Sequence, residues 1–229
     1  MTTRSVAVHS LQSSALGTWL RTSLVLVGAC AASLAVALLN RPYFDLVNGV
    51  ANLQGAESRG LLFSSWLMLI ALPIVARRPA AFGFTLGSMH EHSLLMALVI
   101  VGGGMVTTGI LLALGPTPYS EASWFIETVD VPITEELVFR GVLLTGLVAV
   151  LLPMHRPRIA IVLAVIFNGL AFGIAHLANA TDLALAFAVM QAGFAALLGM
   201  ACAGLMVRTG SVYPAILLHA VVNGVVVAL

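Results

Sequence analysis

Residues 132–152 read Pro-Ile-Thr-Glu-Glu-Leu-Val-Phe-Arg-Gly-Val-Leu-Leu-Thr-Gly-Leu-Val-Ala-Val-Leu-Leu. The stretch is long and apolar enough to cross a bilayer, which takes about 20 residues of helix. Yet it carries Glu135, Glu136 and Arg140 near its start. An ionisable group costs at least ~2.5 kcal/mol at the centre of a membrane helix, so such groups are rare there and mark function. Two later apolar stretches carry the same kind of interruption, Phe172-Gly-Ile-Ala-His176 and His219-Ala-Val-Val-Asn223. Two carboxylates, a guanidinium, two imidazoles and a carboxamide point to a buried site shared by three helices.

The rest of the 229-residue chain supports that reading. It is 60% hydrophobic and 8% charged, with a mean hydropathy of +1.07, whereas about a quarter of the residues of a soluble domain are charged. The expected fold is an all-α polytopic transmembrane bundle of about seven spans, near 22–39, 60–76, 93–114, 132–152, 159–178, 184–206 and 212–228. Asn40-Arg41-Pro42, Arg77-Arg78-Pro79, Gly115 to Pro118, Pro153 to Pro157, Asn179 to Asp182 and Arg208-Thr209-Gly210 punctuate these runs. The apolar run Thr22–Leu39 exceeds a signal-peptide core of ~7–15 residues and reads as a retained span. Cys30 and Cys202 lie in apolar segments and read as small buried hydrophobes.

Partners follow from charge. A net charge of +1 excludes the basic face of a nucleic-acid binder, and the lipid bilayer is the first partner. With the amino terminus in the cytoplasm, Arg4, Arg21, Arg77, Arg78, Arg156, Arg158 and Arg208 lie inside, against Arg41 and Arg59 outside. This is the arrangement that the positive-inside rule favours and it suits a multi-pass protein of the cell membrane. The acidic segment 115–131, with Glu121, Glu127 and Asp130, reads as an outer loop. Its Trp124 and Phe125 suggest an interfacial helix.

Helical spacing assigns roles within the three clusters. Glu136 and Arg140 are i,i+4 in the acid-first order, so Arg140 neutralises Glu136 and the pair supports the fold. Glu135 points about 100° away and has no local partner, which suits a general base. Asn168, Phe172 and His176 recur at spacing four, with Phe172 one turn below His176 to hold its ring. His219 and Asn223 share a face, and an imidazole with a carboxamide can donate to a developing oxyanion. Ser211 and Pro214 suit the start of that last helix. His90-Glu91-His92 reads as a solvated loop, His9 and His155 as loop residues, and Gln191 as either an interhelical bond or a reach towards the site. Gly102 to Gly104 would loosen the third helix or let a neighbour approach closely, and Gly141, Gly146, Gly169, Gly173, Gly193, Gly199, Gly204 and Gly224 read as small-residue packing between helices.

The ordered set E-E-x-x-x-R, F-x-x-x-H and H-x-x-x-N, each in its own span, resembles the CAAX-protease and bacteriocin-processing (CPBP, or Abi) family of intramembrane proteases, which includes the type II prenyl-protein endopeptidases. Phe139-Arg140-Gly141 and Ser211-x-x-Pro214 also resemble it. The likeness covers residues 120–229 as a protease core. Residues 1–119 are then amino-terminal membrane helices whose role in specificity is open.

The resemblance implies an endopeptidase that hydrolyses a peptide bond in a membrane-associated peptide or protein. Glu135, His176, His219 and Asn223 would be catalytic, with Glu136, Arg140 and Phe172 supporting. Members are often labelled metalloproteases, and Glu135, His176 and His219 would then be the ligands of a catalytic Zn²⁺. The expectation is that no metal is tightly held and that Glu135 activates water. A bacterial-type role fits better than prenyl-peptide cleavage as such. The competing readings are a non-proteolytic scaffold or regulator, such as bacteriocin immunity, that keeps the fold, and a small proton-coupled transporter. The complete residue set opposes the first. The lack of an internal repeat opposes the second.

Overall fold

The computed structural model describes residues 3–51, 56–114, 124–181 and 183–229. These form seven helices, with no strand among the described residues. They are α1 (Thr3–Ala51), α2 (Ala56–Val75), α3 (Ser93–Leu114), α4 (126–151), α5 (Pro157–His176), α6 (Leu185–Thr209) and α7 (Tyr213–Ala228). Short 3-10 turns occupy Pro79–Phe82, His90–His92 and Leu177–Thr181. Four segments are long and apolar enough to cross a membrane, Leu16–Val47, His90–Ala113, Pro157–Thr181 and Leu185–Thr209. Phe63–Val75 and Tyr213–Ala228 are shorter apolar helices.

The exposure pattern is that of a protein dissolved in lipid. Leu98 is 64% exposed, whereas Arg140 is 0% exposed. Apolar side chains such as Leu24, Met105 and Leu197 face outward, while Glu135, Glu136, Asn168 and His219 are buried. In water the reverse holds; in hydrocarbon each polar group must find its partners inside the bundle.

Small residues set the closest helix contacts. A Cβ added at Gly169 would lie 2.7 Å from the Ala196 carbonyl oxygen, and one at Gly173 would lie 2.5 Å from that of Ala192. The Gly169-x-x-x-Gly173 pair therefore brings α5 onto α6 backbone to backbone. At Gly103 of α3 the close neighbour is instead a side chain, with Leu218 Cδ1 of α7 2.6 Å from such a Cβ. Gly146, Gly193 and Gly204, by contrast, have nothing within 4 Å of such a Cβ. The packing role expected of Gly146, Gly193 and Gly204 is thus corrected: among the described residues nothing packs against them.

Two local expectations fail for physical reasons. Asn40-Arg41-Pro42 does not end the first helix, since Pro42 lies inside α1. A proline removes one helical hydrogen bond, and neighbouring contacts hold the helix through it: Tyr43 Oη is 2.7 Å from Ser65 Oγ and Trp66 Nε1 donates to the Val36 carbonyl at 3.1 Å. The fourth span is also not a regular α-helix. It runs as π-helical Ile126–Asp130, α-helical Val131–Glu136, π-helical Leu137–Leu144 and α-helical Thr145–Leu151. Such i→i+5 turns gather at functional sites.

The loops sort to two ends. Thr22 Oγ1 lies 2.7 Å from His155 Nε2, Ser88 N–H donates to the Thr209 carbonyl at 2.7 Å, and Val212 N–H donates to that of Gly83 at 2.9 Å. The segments holding Arg21, Arg78, Arg156 and Arg208 therefore share one end. His155, read as a loop residue, thus has a partner in α1. His90 and Glu91 are exposed, as expected of a loop, and His92 turns back on Ser88. Glu121 and Asp182 lie outside the described residues. Trp124 and Phe125 lead directly into α4 and are exposed, as an interfacial position requires.

Candidate active site

The site grows from the irregular turn of α4. Within Leu137–Leu144 the Phe139 carbonyl accepts a hydrogen bond from Asn168 Nδ2 of α5 at 2.7 Å. This fastens α4 to α5 at the level where Glu135, Glu136 and Arg140 point inward. Two residues nearer the amino end of α4 add a second fastening: the Ser64 hydroxyl of α2 donates to the Asp130 carboxylate, and Thr134 Oγ1 lies 3.4 Å from Ser64 Oγ.

Arg140 pairs with Glu136 as its spacing implies, with Nε 3.0 Å from Oε2. The contact is an ion pair rather than a well-aligned hydrogen bond, and both Nη groups lack a hydrogen-bond partner among the described residues. The guanidinium carbon instead stands 4.4 Å from the centre of the Phe172 ring, where the ring's negative face receives it. Phe172 is fully buried and meets three more rings edge-on: Phe139 at 4.8 Å, His176 at 4.6 Å and His219 at 5.7 Å. It therefore does more than hold His176 from below; it is the spacer on which the cation and both imidazoles rest.

Each imidazole is oriented through Nδ1. In His176 this nitrogen lies 2.9 Å from the Phe172 carbonyl. In His219 it lies 2.9 Å from Glu136 Oε1. His219 Nε2 then faces Glu135, 3.8 Å from Oε2. Arg140, Glu136, His219 and Glu135 so form one row of polar groups across α4 and α7. Glu136 has two partners where the sequence suggested one. Among the described residues Glu135 Oε2 has no hydrogen-bond partner, in keeping with its lack of a local partner in the sequence.

Glu135 and His176 line one cavity of about 220 Å³, together with Phe139, Asn179 and residues of α1 and α2. Asn179 Nδ2 donates to Gln191 Oε1 at 2.9 Å, so Gln191 braces the cavity wall from α6. Asn223 stands apart from the other three. Its Nδ2 donates to the Glu127 carbonyl at 3.0 Å, pinning α7 to the start of α4. Among the described residues it forms no hydrogen bond with Glu135, His176 or His219. The ligand set Glu135, His176 and His219 is not drawn together either, for no three His, Cys, Asp or Glu among the described residues group as a metal ion requires.

The wall supplied by α1 and α2 went unseen in the sequence. Ser33, Asn40 and Arg41 of α1, with Phe63 and Leu67 of α2, face the cavity that holds Glu135. The one local signal was a polar Asn-Arg pair beside Pro42, which reads equally well as a loop.

Residues 118–225 match the model of a protein family described as Rce1-like, type II CAAX prenyl endopeptidase Rce1-like. No curated protein and no solved structure matches the chain.

Proposed function

We propose, for a membrane protein whose residues 118–225 belong to the CAAX-protease family, an intramembrane endopeptidase that uses Glu135 to activate water. The observation that carries this reading is the shared cavity: Glu135 and His176 line it, and the free carboxylate oxygen of Glu135 lies 3.8 Å from an imidazole nitrogen fixed by a second carboxylate. Glu135 takes a proton from a cavity water as the water oxygen attacks the scissile carbonyl carbon. His176, held by the Phe172 carbonyl, orients that water. His219 donates from Nε2 to the oxyanion when its ring carries both protons, with Nδ1–H given to Glu136. Asn223 adds a second donor once it turns from the Glu127 carbonyl. The proton held by Glu135 then passes to the leaving amine as the C–N bond breaks.

The substrate is a peptide or protein segment at the membrane, reached from the end of the bundle away from Arg21, Arg78, Arg156 and Arg208. With the amino terminus in the cytoplasm of a cell-membrane protein, the cavity opens outward. The test is direct. Membranes carrying the chain or its Glu135→Gln variant are incubated with a pool of acylated peptides, and new termini are read by mass spectrometry. Termini that arise with the unaltered chain alone support the assignment; equal yields from both exclude Glu135 as the base.

A further inference from the structure

Two apolar spans open at the same end of the bundle with arginines that the chain itself leaves uncompensated. Arg21 stands near the start of the segment Leu16–Val47, and Arg156 and Arg158 flank Pro157 at the start of Pro157–Thr181. One contact sets the two starts level. Thr22 Oγ1 donates to the Thr18 carbonyl at 2.9 Å and so accepts from His155 Nε2 at 2.7 Å. Trp19 lies against the same imidazole, with ring centroids 5.9 Å apart, as an aromatic at a membrane interface does. All three arginines are exposed, and no acidic side chain pairs with any of them among the described residues. The stretches 16–22, 76–92, 152–158 and 207–212 at this end hold six arginines and a single acid, Glu91. Directly below, both helices turn apolar side chains outward: Leu20, Leu24 and Val27 on α1, and Ile159, Val162 and Ile166 on α5. Arg158, Val162 and Ile166 recur at spacing four and form one row. The helices lie side by side, with Val25, Leu26 and Ala29 sharing a core with Ala160 and Ala164.

We propose that Arg21, Arg156 and Arg158 hold the phosphate of an anionic phospholipid whose acyl chains lie along the exposed apolar faces of α1 and α5. A guanidinium fork matches phosphate oxygens in pairs, and each arginine beside an anionic membrane surface contributes about fivefold in affinity. The headgroup is anionic as a whole, because a zwitterionic one brings its own cation against three uncompensated arginines. The occupant is a lipid rather than free phosphate, because the apolar faces begin within a turn of the guanidiniums. Arg158 and His176 stand at opposite ends of α5, so the site is separate from the cavity of Glu135 and does not rest on the protease reading.

The test uses the full-length chain purified in detergent, with bound lipid counted by native mass spectrometry. Phosphatidylglycerol and phosphatidylcholine with the same acyl chains are titrated, together with glycerophosphoglycerol, which is the anionic headgroup without its chains. One phosphatidylglycerol per chain is expected to bind about tenfold tighter than phosphatidylcholine, and glycerophosphoglycerol at equal concentration should not displace it. Arg21→Gln, Arg156→Gln and Arg158→Gln together should bring the two lipids to equal affinity. Arg77→Gln, Arg78→Gln and Arg208→Gln together remove as much charge from the same end and should keep the preference. Equal binding of the two lipids by the unaltered chain, a preference that survives the first triple variant, an equal loss in both triple variants, or displacement by the free headgroup overturns the site. Melting temperatures of both triple variants, expected within a few degrees of the parent, separate lost binding from lost fold. If the first triple variant does not fold, Arg158→Gln alone decides: it should weaken phosphatidylglycerol about fivefold, and unchanged binding overturns the site.

Discussion

Glu136 Oε1 lies 2.9 Å from Nδ1 of His219 while Oε2 of the same carboxylate lies 3.0 Å from Nε of Arg140. One carboxylate thus joins the ion pair that holds α4 to the imidazole presented by α7. In the proposed mechanism, structural and chemical roles meet in that side chain. Removing either partner of a buried pair strands a charge, at a cost of about 3–5 kcal/mol, whereas replacing both with apolar groups of similar volume is often neutral. Arg140→Ala alone should therefore lower the yield of folded protein and its melting temperature. Glu136→Leu combined with Arg140→Met should regain most of that stability without regaining cleavage, because His219 has lost the group that orients it. Recovery of cleavage in the double variant would show that the pair serves the fold alone.

Glu135 differs from its neighbour in its partners among the described residues: Glu136 Oε2 has Arg140 Nε at 3.0 Å, whereas Glu135 Oε2 has only His219 Nε2, at 3.8 Å. Glu135→Gln keeps shape and volume and should shift the thermal midpoint little. General-base catalysis contributes about 10²–10⁴-fold, so the variant should lose at least that part of its cleavage rate. The two adjacent glutamates can then be told apart by plotting melting temperature against rate: Glu135 variants fall in rate alone, and single Glu136 variants fall in both. A Glu135→Gln protein that cleaves normally would place the base elsewhere.

How far this was legible in the sequence depends on the range of the contact. Glu136 and Arg140 meet because they are four apart, and the pairing survives even though their turn is π-helical. His176 against Phe172 is legible for the same reason. The approach of His219 to Glu136 spans 83 positions, and only the presence of polar groups in several membrane helices hinted at it. The α1 wall was illegible. Pro42 reads as a stop, and nothing local says that the Tyr43 and Trp66 contacts carry the helix through. Asn223 shows how far spacing alone reaches. Its spacing to His219 is right, yet a backbone carbonyl from another helix takes its amide.

The glycines provide a test of packing that leaves the chemistry aside. A methyl group at Gly173 would sit 2.5 Å from the Ala192 carbonyl oxygen, and backbone cannot give way cheaply. Gly173→Ala should push α6 from α5 and lower the melting temperature, with a loss of about 1–3 kcal/mol of the size seen when tight cores are overfilled. Gly193 is the control. It lies on α6 with nothing within 4 Å, so Gly193→Ala should be neutral or gain up to ~1 kcal/mol from helix propensity. Unfolding of the two variants in the same detergent, followed by circular dichroism, checks both. Equal effects would mean that the α5–α6 contact is looser than these distances require.

The last prediction concerns metal. A catalytic Zn²⁺ takes three protein ligands at about 2.0–2.2 Å and leaves one position open. Glu135, His176 and His219 are the side chains that would have to supply them. They do not group in that way among the described residues. His219 Nδ1 belongs to Glu136, and its Nε2 and Glu135 Oε2 stand 3.8 Å apart. Both distances suit an imidazole working between two carboxylates. A fixed guanidinium also stands on Glu136 and against Phe172. The proposed mechanism needs only a water held by hydrogen bonds. Purified protein should accordingly hold well under one zinc per chain by elemental analysis, and cleavage should survive dialysis against a chelator. Stoichiometric zinc, with activity lost on its removal and regained on its return, would make Glu135 a ligand and require a different base.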